Sequence, residues 1–418
     1  MIHATGFARR AGATSTPRQS DGMARFLLGV NYWPRTRAMS MWSRFDAGEI
    51  DEDFARIAAL GLDVVRFFLL WEDFQPAPDT ISPLALERFE RVLDCAAAHG
   101  LRAMPTLFCG HMSGVNWLPE WTLDAGSPSE RFRTFTRGGE SPYGIGDFYT
   151  GDLLEAQRLF ARAAGERARD HSALFAWDLG NEFSNLREPR TPADAEHWSA
   201  ALTHDLFESS NVGATGGLHG EDVTRDRHIR PSSIAMPWKF ATMHGYSVYS
   251  DFSRDRTDPE VVPFLAELTA ACARQRVLFS EFGNPTCPAD HGTHEFGGVG
   301  CLSEFEMAEY AWRVLDRLQQ RGALGAFWWC WADYAPALAQ TPPFDRAPHE
   351  LTFGIVRGDG SEKPVAGALA AFAREQRSVG EAPPPIVDED TYFAELPGSL
   401  SRAYREYVEA HNLSEEVS

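Results

Sequence analysis

The sequence has little positive charge. It contains 39 lysine and arginine residues against 59 aspartate and glutamate residues, which gives a formal net charge of −20 and a pI near 5.1. A chain this acidic repels the phosphate backbone of nucleic acids, because binding there depends on basic side chains that neutralise phosphates. We therefore expect no nucleic-acid partner, and a small neutral or cationic molecule as the substrate.

Cysteine is scarce, and none of the six cysteines forms a CxxC motif. Four of them lie in segments with the pattern of buried helices or strands, where reduced thiols behave as small apolar side chains. Cys287 and Cys301 differ, because they bracket a loop rich in glycine that contains His291 and His294. This loop could hold a disulfide or a metal site, although its spacing matches no common zinc motif. We expect no metal and no organic cofactor.

The sequence has no hydrophobic run long enough to cross a membrane, and its first residues lack the apolar core of a secretory signal. These absences favour a cytoplasmic protein without a membrane partner. Residues 1–22 contain arginine and small polar residues, and we expect them to be disordered. No pattern in the sequence indicates the oligomeric state.

Short apolar segments alternate with amphipathic segments from residue 26 onward. The apolar segments are nearly continuous, as expected for parallel strands that are covered on both faces, and the others have the period of helices. Eight strands are predicted, at residues 27–33, 62–71, 101–110, 174–182, 213–219, 240–249, 276–283 and 323–334. This alternation predicts an α/β protein, a (β/α)8 TIM barrel, in which the glycine-rich fifth strand has the weakest signal.

One main domain accounts for most of the 418 residues. We place the catalytic barrel at residues 23–375, with long loops on its catalytic face after the third and seventh strands. Residues 376–418 begin with a proline-rich linker and end in an amphipathic helix, in which Leu400, Tyr404 and Val408 recur at helical spacing. We expect this helix to dock on the outside of the barrel.

Two glutamates lie at the ends of predicted strands. Asn181 and Glu182 close the fourth strand, and Glu281 lies near the end of the seventh, roughly three strand-helix units later. In a TIM barrel the carboxyl ends of the strands meet at one mouth, so the two carboxylates should face each other there. Two carboxyl groups about 5 Å apart are what hydrolysis of a glycosidic bond with retention requires. A structural ion pair is the competing interpretation.

Other polar and aromatic residues lie on the same strands. Arg66 is inside the apolar second strand, where a buried guanidinium needs an anionic partner such as a catalytic carboxylate. His244 and Tyr246 close the sixth strand, and their spacing of two would point both side chains to the mouth. Trp329 and Trp331 close the eighth strand with the same spacing and would give an aromatic floor for a sugar ring. Each of these residues alone fits a core position, whereas together they favour a site.

In this order, these residues resemble the signature of clan A glycoside hydrolases, and specifically of glycoside hydrolase family five, whose known members are retaining (β/α)8 enzymes. The resemblance covers about residues 26–375. It implies that Glu182 is the general acid/base and that Glu281 is the nucleophile. It also implies that Asn181 binds the 2-hydroxyl of the substrate and that His244 lies on the acid/base side.

The same resemblance assigns supporting roles to four further residues. Tyr246 and Arg66 are implied to orient the nucleophile and to keep it charged. His111, just beyond the third strand, is matched to the histidine that the family carries there. Trp331, rather than Trp329, is preferred as the tryptophan of the eighth strand.

The strings VNYWPR, LFCGHMSGVNWLPEW and WWCWADY resemble the β-mannosidase and endo-β-mannosidase-like branch of the family. By this resemblance we expect an exo-acting β-mannosidase, with a small carbohydrate as its partner: a β-linked manno-oligosaccharide or a mannose-GlcNAc fragment. An endo-β-mannanase, a β-glucosidase or a diglycosidase on the same scaffold stays open, because loops set the substrate. A non-catalytic carbohydrate-binding barrel is the remoter alternative, since both glutamates are present.

Four residues outside the strands are further candidates for contact with the sugar. Trp71 and Glu72 come at the end of the second strand, Trp117 lies in the long loop after the third, and Glu221 follows the fifth. If the long loops close the non-reducing side of the mouth, only a terminal sugar reaches the nucleophile. Glu72 and Glu221 could equally be solvated charges on loops.

Overall fold

The computed structural model describes residues 24–129, 131–288, 294–382 and 388–411. Its central sheet consists of eight strands: β1 (Leu27–Tyr32), β2 (Val64–Leu70), β3 (Arg102–Cys109), β4 (Trp177–Asn181), β5 (Ala214–Gly217), β6 (Ala241–His244), β7 (Val277–Phe282) and β8 (Gly325–Trp328). The strands are parallel and follow the order β5, β4, β3, β2, β1, β8, β7, β6 around a nearly closed barrel. The predicted (β/α)8 barrel is therefore confirmed. Residues 1–22, which were expected to be disordered, lie outside the described residues.

The barrel closes between β5 and β6. The amide of Lys239 donates to the carbonyl of Ala214 at 2.8 Å, and the amide of His244 donates to the carbonyl of Leu218 at 2.8 Å. Glycine in β5 has a packing reason, since a Cβ atom on Gly217 would lie 2.0 Å from the carbonyl oxygen of the neighbouring strand β4.

Two predicted strands end earlier than expected. β6 ends at His244 and is followed by a 3-10 turn at Ser247–Tyr249, and β8 ends at Trp328. After β8 the apolar residues Trp329, Cys330 and Trp331 continue the run and are buried in the loop, whereas after β6 Val248 is half-buried and Tyr249 is exposed. Hydrophobic continuity therefore overestimates strand length where a buried loop follows a strand.

Within the described ranges, seven helices of more than ten residues surround the barrel: α1 (Ala47–Ala59), α2 (Pro83–Ala98), α3 (Gly151–Arg167), α4 (Pro192–Ser210), α5 (Val261–Ala273), α6 (Glu304–Gln320) and α7 (Pro364–Arg374). Capping boxes fix where two of them begin. Thr191 forms a capping box with Asp194 at the start of α4, and Ser303 does so with Glu306 at the start of α6. No helix in the described part of the chain is long and apolar enough to cross a bilayer.

The long loops carry structure of their own. The loop after β3 contains short strands at His111–Met112, Val115–Trp117, Arg133–Thr136 and Gly139–Ser141, which form one small sheet. In the loop after β7, Cys287 and Cys301 form a disulfide. Of the two alternatives that the sequence left open for this loop, a disulfide or a metal site, the disulfide therefore applies. His291 lies outside the described residues. Because disulfides form in oxidising compartments, this pair gives no support to the cytoplasmic location, which stays a prediction.

Two helices follow the barrel, α8 (Glu389–Ala394) and α9 (Gly398–Ala410), and α9 lies beside α5. The hydroxyl of Tyr404 donates to Asp258 at 2.7 Å, and that of Tyr407 donates to Glu260 at 2.7 Å. The ring of Tyr404 also packs edge-on against Phe264 of α5. The C-terminal segment is therefore anchored through tyrosines that pair apolar packing with a buried hydrogen bond.

Candidate active site

The two glutamates lie at the carboxyl ends of β4 and β7, which meet at the mouth of the barrel. Glu182 directly follows Asn181, the last residue of β4, and has a left-handed backbone with φ of 48°. Non-glycine residues in this conformation are strained and are concentrated at functional sites. Glu281 is the fifth of the six residues of β7.

The two carboxyl groups face each other. One oxygen of Glu182, one oxygen of Glu281 and a ring nitrogen of His244 all lie within 4.8 Å of one another. This separation matches the roughly 5 Å that retaining glycosidases keep between their two carboxyl groups, and it is too short to place a water between them as inverting enzymes do.

Two donors hold Glu281, and a histidine ring lies close by. Arg66 Nη1 lies 3.0 Å from Oε2, the hydroxyl of Tyr246 donates to Oε1 at 2.5 Å, and His244 Nδ1 lies 3.6 Å from Oε2. Burial raises the pKa of Glu281, and the negative charge of Glu182 adds to the rise. The contacts with His244, Arg66 and Tyr246 oppose it. These donors leave Glu281 with both oxygens positioned.

Arg66 is the centre of a hydrogen-bonded unit beneath the mouth. Its guanidinium is fully buried and donates to Asp178 at 2.8 Å, to Asn31 at 2.9 Å and to Asn181 at 2.9 Å, in addition to the nucleophile candidate. Asn181 in turn donates to the carbonyl of His111 at 2.9 Å. A buried cation is thus paired with two carboxylates, and the amide of Asn181 is fixed with one N–H unused.

Glu182 lies among histidines. His244 Nδ1 is 3.3 Å from Oε1, His111 Nε2 is 3.8 Å from Oε2, and Asn185 donates to Oε2 at 3.1 Å. Burial would raise the pKa of Glu182, but the positive charges of protonated His219, His244 and His111 outweigh it and lower the pKa below its usual range.

That lowering lasts only while the histidines are protonated. Burial lowers the pKa of His111, so its imidazole is neutral near neutral pH. The Nδ1 atom of His111 lies 2.8 Å from the amide oxygen of Asn116, an acceptor, which puts the ring proton on Nδ1 and leaves Nε2 as an acceptor facing Glu182. A neutral His111 no longer lowers the pKa of Glu182, whereas burial, the largest single influence on that pKa, favours the protonated form.

A cavity of about 810 Å³ opens over the two glutamates. Its walls come from the loops after β3, β4, β5, β6, β7 and β8, and Leu400 and Ser401 of α9 also line it. This volume is in the range of pockets that enclose small ligands. The mouth of the barrel therefore forms one concave site around the carboxylate pair.

The known proteins that this chain resembles include mannosidases. No protein-family model matches the chain. Over 191 residues the chain is 26% identical to a probable mannan endo-1,4-beta-mannosidase A of Aspergillus niger, a match that covers 41% of this chain and 42% of that protein. The chain thus matches less than half the length of this curated relative.

Solved structures extend the match over most of the chain. An exo-beta-1,4-mannosidase from Opitutaceae bacterium strain TAV5 has a TM-score of 0.69 and 26% identity, over 88% of this chain and 62% of that one. The chain resembles the mannosidase-like branch of clan A glycoside hydrolase family five. The GH5_18 protein of Streptomyces cattleya in complex with GlcNAc has a TM-score of 0.75 and 23% identity over 94% and 92% of the two chains, which is a likeness of fold. A further structure of GH5_18 from that organism is in complex with Manb1-4GlcNAc.

Most of the residues singled out from the sequence lie together. The cavity is lined by His111, Asn181, Glu182, Glu221, His244, Tyr246, Glu281 and Trp329, and Arg66 lies directly beneath it. Tyr246 reaches Glu281 from the loop beyond β6, so strand alternation is not what places its side chain.

Trp331 is outside the cavity lining, contrary to the expectation that it forms the sugar-facing floor. Its side chain is fully buried, with the guanidinium of Arg56 5.4 Å from its ring centroid. Because β8 ends at Trp328, the alternation assumed for Trp329 and Trp331 does not apply. Trp329 lines the cavity instead and packs edge-on against Phe68.

Trp71, Glu72 and Trp117 are also outside the cavity lining. Trp71 begins the short helix Trp71–Phe74 and is fully buried, where it packs against aromatic side chains. Glu72 accepts a hydrogen bond from the backbone amide of Arg137 at 2.7 Å. Trp117 packs against Phe135 within the sheet of the β3 loop. These residues support the long loop rather than face the carboxylates.

Several cavity residues carried no pattern that sequence reasoning used. Asn185 belongs to the 3-10 turn Phe183–Asn185, and His349 and Glu350 belong to another at Pro348–Leu351. His219 follows the weak fifth strand. Its position just after this strand, two residues before Glu221, is the only signal for it in the sequence. The loop residues reach the cavity through tertiary packing alone.

Proposed function

We propose that the protein is a retaining β-glycoside hydrolase, and specifically an exo-acting β-mannosidase. The observation that carries the proposal is the approach of Glu182 and Glu281 to within 4.8 Å, each with its own set of donors. This arrangement supplies one carboxylate for attack and one carboxyl group for protonation of the leaving oxygen.

In the first step, Glu281 attacks the anomeric carbon as Glu182 donates its proton to the glycosidic oxygen. The C–O bond to the leaving sugar breaks, and a glycosyl ester forms on Glu281. Arg66 and Tyr246 orient the attacking carboxylate. Asn181 offers its unused N–H to the 2-hydroxyl.

In the second step, Glu182 is ionised and removes a proton from a water molecule. That water attacks the anomeric carbon from the face that the leaving group occupied, and the bond to Glu281 breaks. Two inversions return the β configuration, and both glutamates regain their starting protonation states. The positive charges that the histidines can carry support Glu182 in this ionised phase.

The support for mannose comes from the relatives, whose names describe mannan endo-1,4-beta-mannosidase and exo-beta-1,4-mannosidase activity. Manb1-4GlcNAc, bound by a protein of the same fold, is a substrate of the size that the cavity accepts. The axial 2-hydroxyl of mannose would meet Asn181 and His111. Glu72, considered earlier for this contact, is held by Arg137 instead.

Exo action is supported by the walls of the cavity. Met112 and Phe132 from the β3 loop, Val299 from the β7 loop and Leu400 of α9 surround the carboxylate pair. A long polymer would have to pass between these walls, whereas a terminal sugar can enter from one side.

The test is a panel of aryl β-glycosides and defined oligosaccharides, with the released sugar identified and its anomeric form followed by NMR. We expect mannose to be released one unit at a time, first as the β anomer. Mid-chain cleavage of mannan, or equal hydrolysis of β-glucosides, would favour the endo-mannanase or β-glucosidase alternative. Binding of sugar without any hydrolysis would favour the non-catalytic barrel.

A further inference from the structure

A second buried arginine lies behind Glu182. Arg227 is 4% exposed and follows the short helix Glu221–Thr224. Its guanidinium donates to the carbonyl of Ser184 at 2.7 Å, to Oδ1 of Asn185 at 2.9 Å and to Nε2 of His219 at 2.9 Å. None of these contacts has a part in the mechanism described above.

The contact with Asn185 fixes which end of the amide faces Glu182. A guanidinium only donates, so the oxygen of Asn185 must point to Arg227 and its NH2 group must point to Glu182, where it donates at 3.1 Å. Arg131 also donates to this oxygen, but at the longer distance of 3.4 Å, so loss of Arg227 would let the amide turn over more readily. Its oxygen would then face the carboxylate, and a donor would be replaced by a repelling acceptor.

The contact with His219 fixes a tautomer in the same way. Arg227 donates to Nε2, so a neutral His219 carries its proton on Nδ1. Asp222 holds the backbone of the same residue, because its Oδ2 accepts from the His219 amide at 3.0 Å. The His219 ring, which lines the cavity, is therefore fixed in both position and tautomer.

The contact with the Ser184 carbonyl holds the main chain. Ser184 lies in the 3-10 turn Phe183–Asn185 that directly follows Glu182, whose backbone is left-handed. Such a conformation persists only where its surroundings hold it in place. Arg227 supplies one of these constraints from outside the turn.

Arg227 also has its own counter-charges. Its Nε atom donates to Glu188 at 2.9 Å, and its Nη1 atom lies 3.1 Å from Glu221 Oε2. The cation is therefore compensated by Glu188 and Glu221 rather than by Glu182. It acts on Glu182 through neighbouring residues, whereas Arg66 contacts Glu281 directly.

We propose that Arg227 is a positioning residue for the acid/base, which it holds toward the glycosidic oxygen through Asn185. The proposal rests on the proposed function. It predicts an effect confined to substrates whose leaving group needs a proton, because only these depend on where the Glu182 carboxyl points.

The experiment measures kcat/KM, which reports the step that forms the glycosyl-enzyme, for Arg227→Gln and Arg227→Lys. With a natural mannose disaccharide we expect a loss of about a hundredfold for Arg227→Gln, the cost of misplacing a catalytic group by an ångström or so. With 2,4-dinitrophenyl β-mannoside, whose leaving group needs no proton, we expect a change of less than about threefold. Arg227→Lys should lose activity on the disaccharide too, since an ammonium cannot donate in the same fork.

Asn185→Ala tests the route of the effect. It should reproduce part of the selective loss, and the double variant with Arg227→Gln should lose less than the product of the two single losses, because both act through one contact. Arg230→Gln is the matched control, since Arg230 lies in the same loop and pairs at the surface with Asp226. It should leave both substrates unchanged.

Two outcomes are distinguishable. If the wild-type protein hydrolyses no β-glycoside, the proposed function fails. If the wild type is active, the positioning role is overturned by either of two results for the folded variants of Arg227: an equal loss of kcat/KM with both substrates, or no loss with either. Should Arg227→Gln not fold, Arg227→Lys and Asn185→Ala carry the same comparison.

Discussion

The hydroxyl of Tyr246 donates to Oε1 of Glu281 at 2.5 Å. Tyr246 is the donor nearest to the proposed nucleophile, and it comes from a loop rather than from the strand that precedes it. Tyr246→Phe removes this donor while keeping the ring, so Glu281 loses orientation without losing its carboxylate. We expect kcat/KM for aryl β-mannosides to fall by about tenfold to a hundredfold. Tyr143→Phe, at an exposed loop position, is the control, and equal activity of both variants would contradict the role of Tyr246.

Glu281→Ala should reduce turnover by several orders of magnitude, because the covalent step is lost. Added azide should restore activity by attacking the anomeric carbon in place of the carboxylate, and it should give a product of inverted configuration. The measurement is turnover of an activated aryl β-mannoside with and without azide. More than about a tenth of wild-type activity in the variant would exclude Glu281 as the nucleophile.

Glu182→Ala should separate two kinds of substrate. Activated aryl glycosides need no protonation and should still form the glycosyl-enzyme, seen as an initial burst of released phenol, whereas disaccharides should barely react. The second step should be slow with both, because the base is missing. Equal damage to the first step with both substrates would point to another acid, such as Glu221.

A metal chelator should leave activity unchanged. Glu182, His244 and Glu281 are close enough together to ligate an ion, but the proposed chemistry uses them as acid, supporting group and nucleophile. An added transition-metal ion should therefore inhibit, by occupying the carboxylates that the substrate needs. Loss of activity in EDTA that a metal ion restores would overturn the metal-free mechanism.

Glu267 gives a prediction for stability against pH. Burial raises its pKa from 4.5 to about 7, where it faces His411 of the C-terminal segment at 2.9 Å and Arg321 at 3.7 Å. Since the folded protein holds a proton that the unfolded chain has released, this stabilisation is complete below pH 4.5 and is lost as the pH rises through 7.

Glu267→Gln mimics the protonated carboxyl and removes this titration. From pH 4.5 to 8, its free energy of unfolding should rise relative to the wild type by up to about 3 kcal/mol, measured by urea titration at each pH. Glu406→Gln, at an exposed position of α9, should follow the wild type throughout. Parallel curves for Glu267→Gln and wild type would show that the buried proton is absent.

The number and order of the strands could be predicted because each strand is covered on both faces and leaves a nearly unbroken apolar run in the sequence. β5 was found in spite of its glycines, which the contact with β4 requires. The ends of β6 and β8 could not be found from hydrophobicity, since apolar residues continue past both strands: those after β8 are buried in the loop, and those after β6 enter a 3-10 turn.

The local sequence pattern also explains which parts of the site could be predicted. Arg66 could be identified because a charge inside an apolar strand needs a partner, and Glu182 and Glu281 because they close strands. Trp331 was misassigned because β8 had already ended, and Glu72 because its partner comes from a distant loop. Arg227 left no signal, since an arginine among loop charges is ordinary until the chain folds around it.

The hydrogen bonds of Arg66 reach β1 through Asn31 and β4 through Asp178, and Thr106 of β3 donates to the same aspartate at 2.7 Å. Asn31 donates onward to carbonyls of β7 and β8. Beneath Glu281 the foundation of the site is therefore a set of hydrogen bonds between strands, whereas the walls of the cavity belong to separate loops. Insertions or exchanges in those loops can change which sugar is accepted while the foundation stays in register, so new substrate ranges can evolve on this barrel without new chemistry.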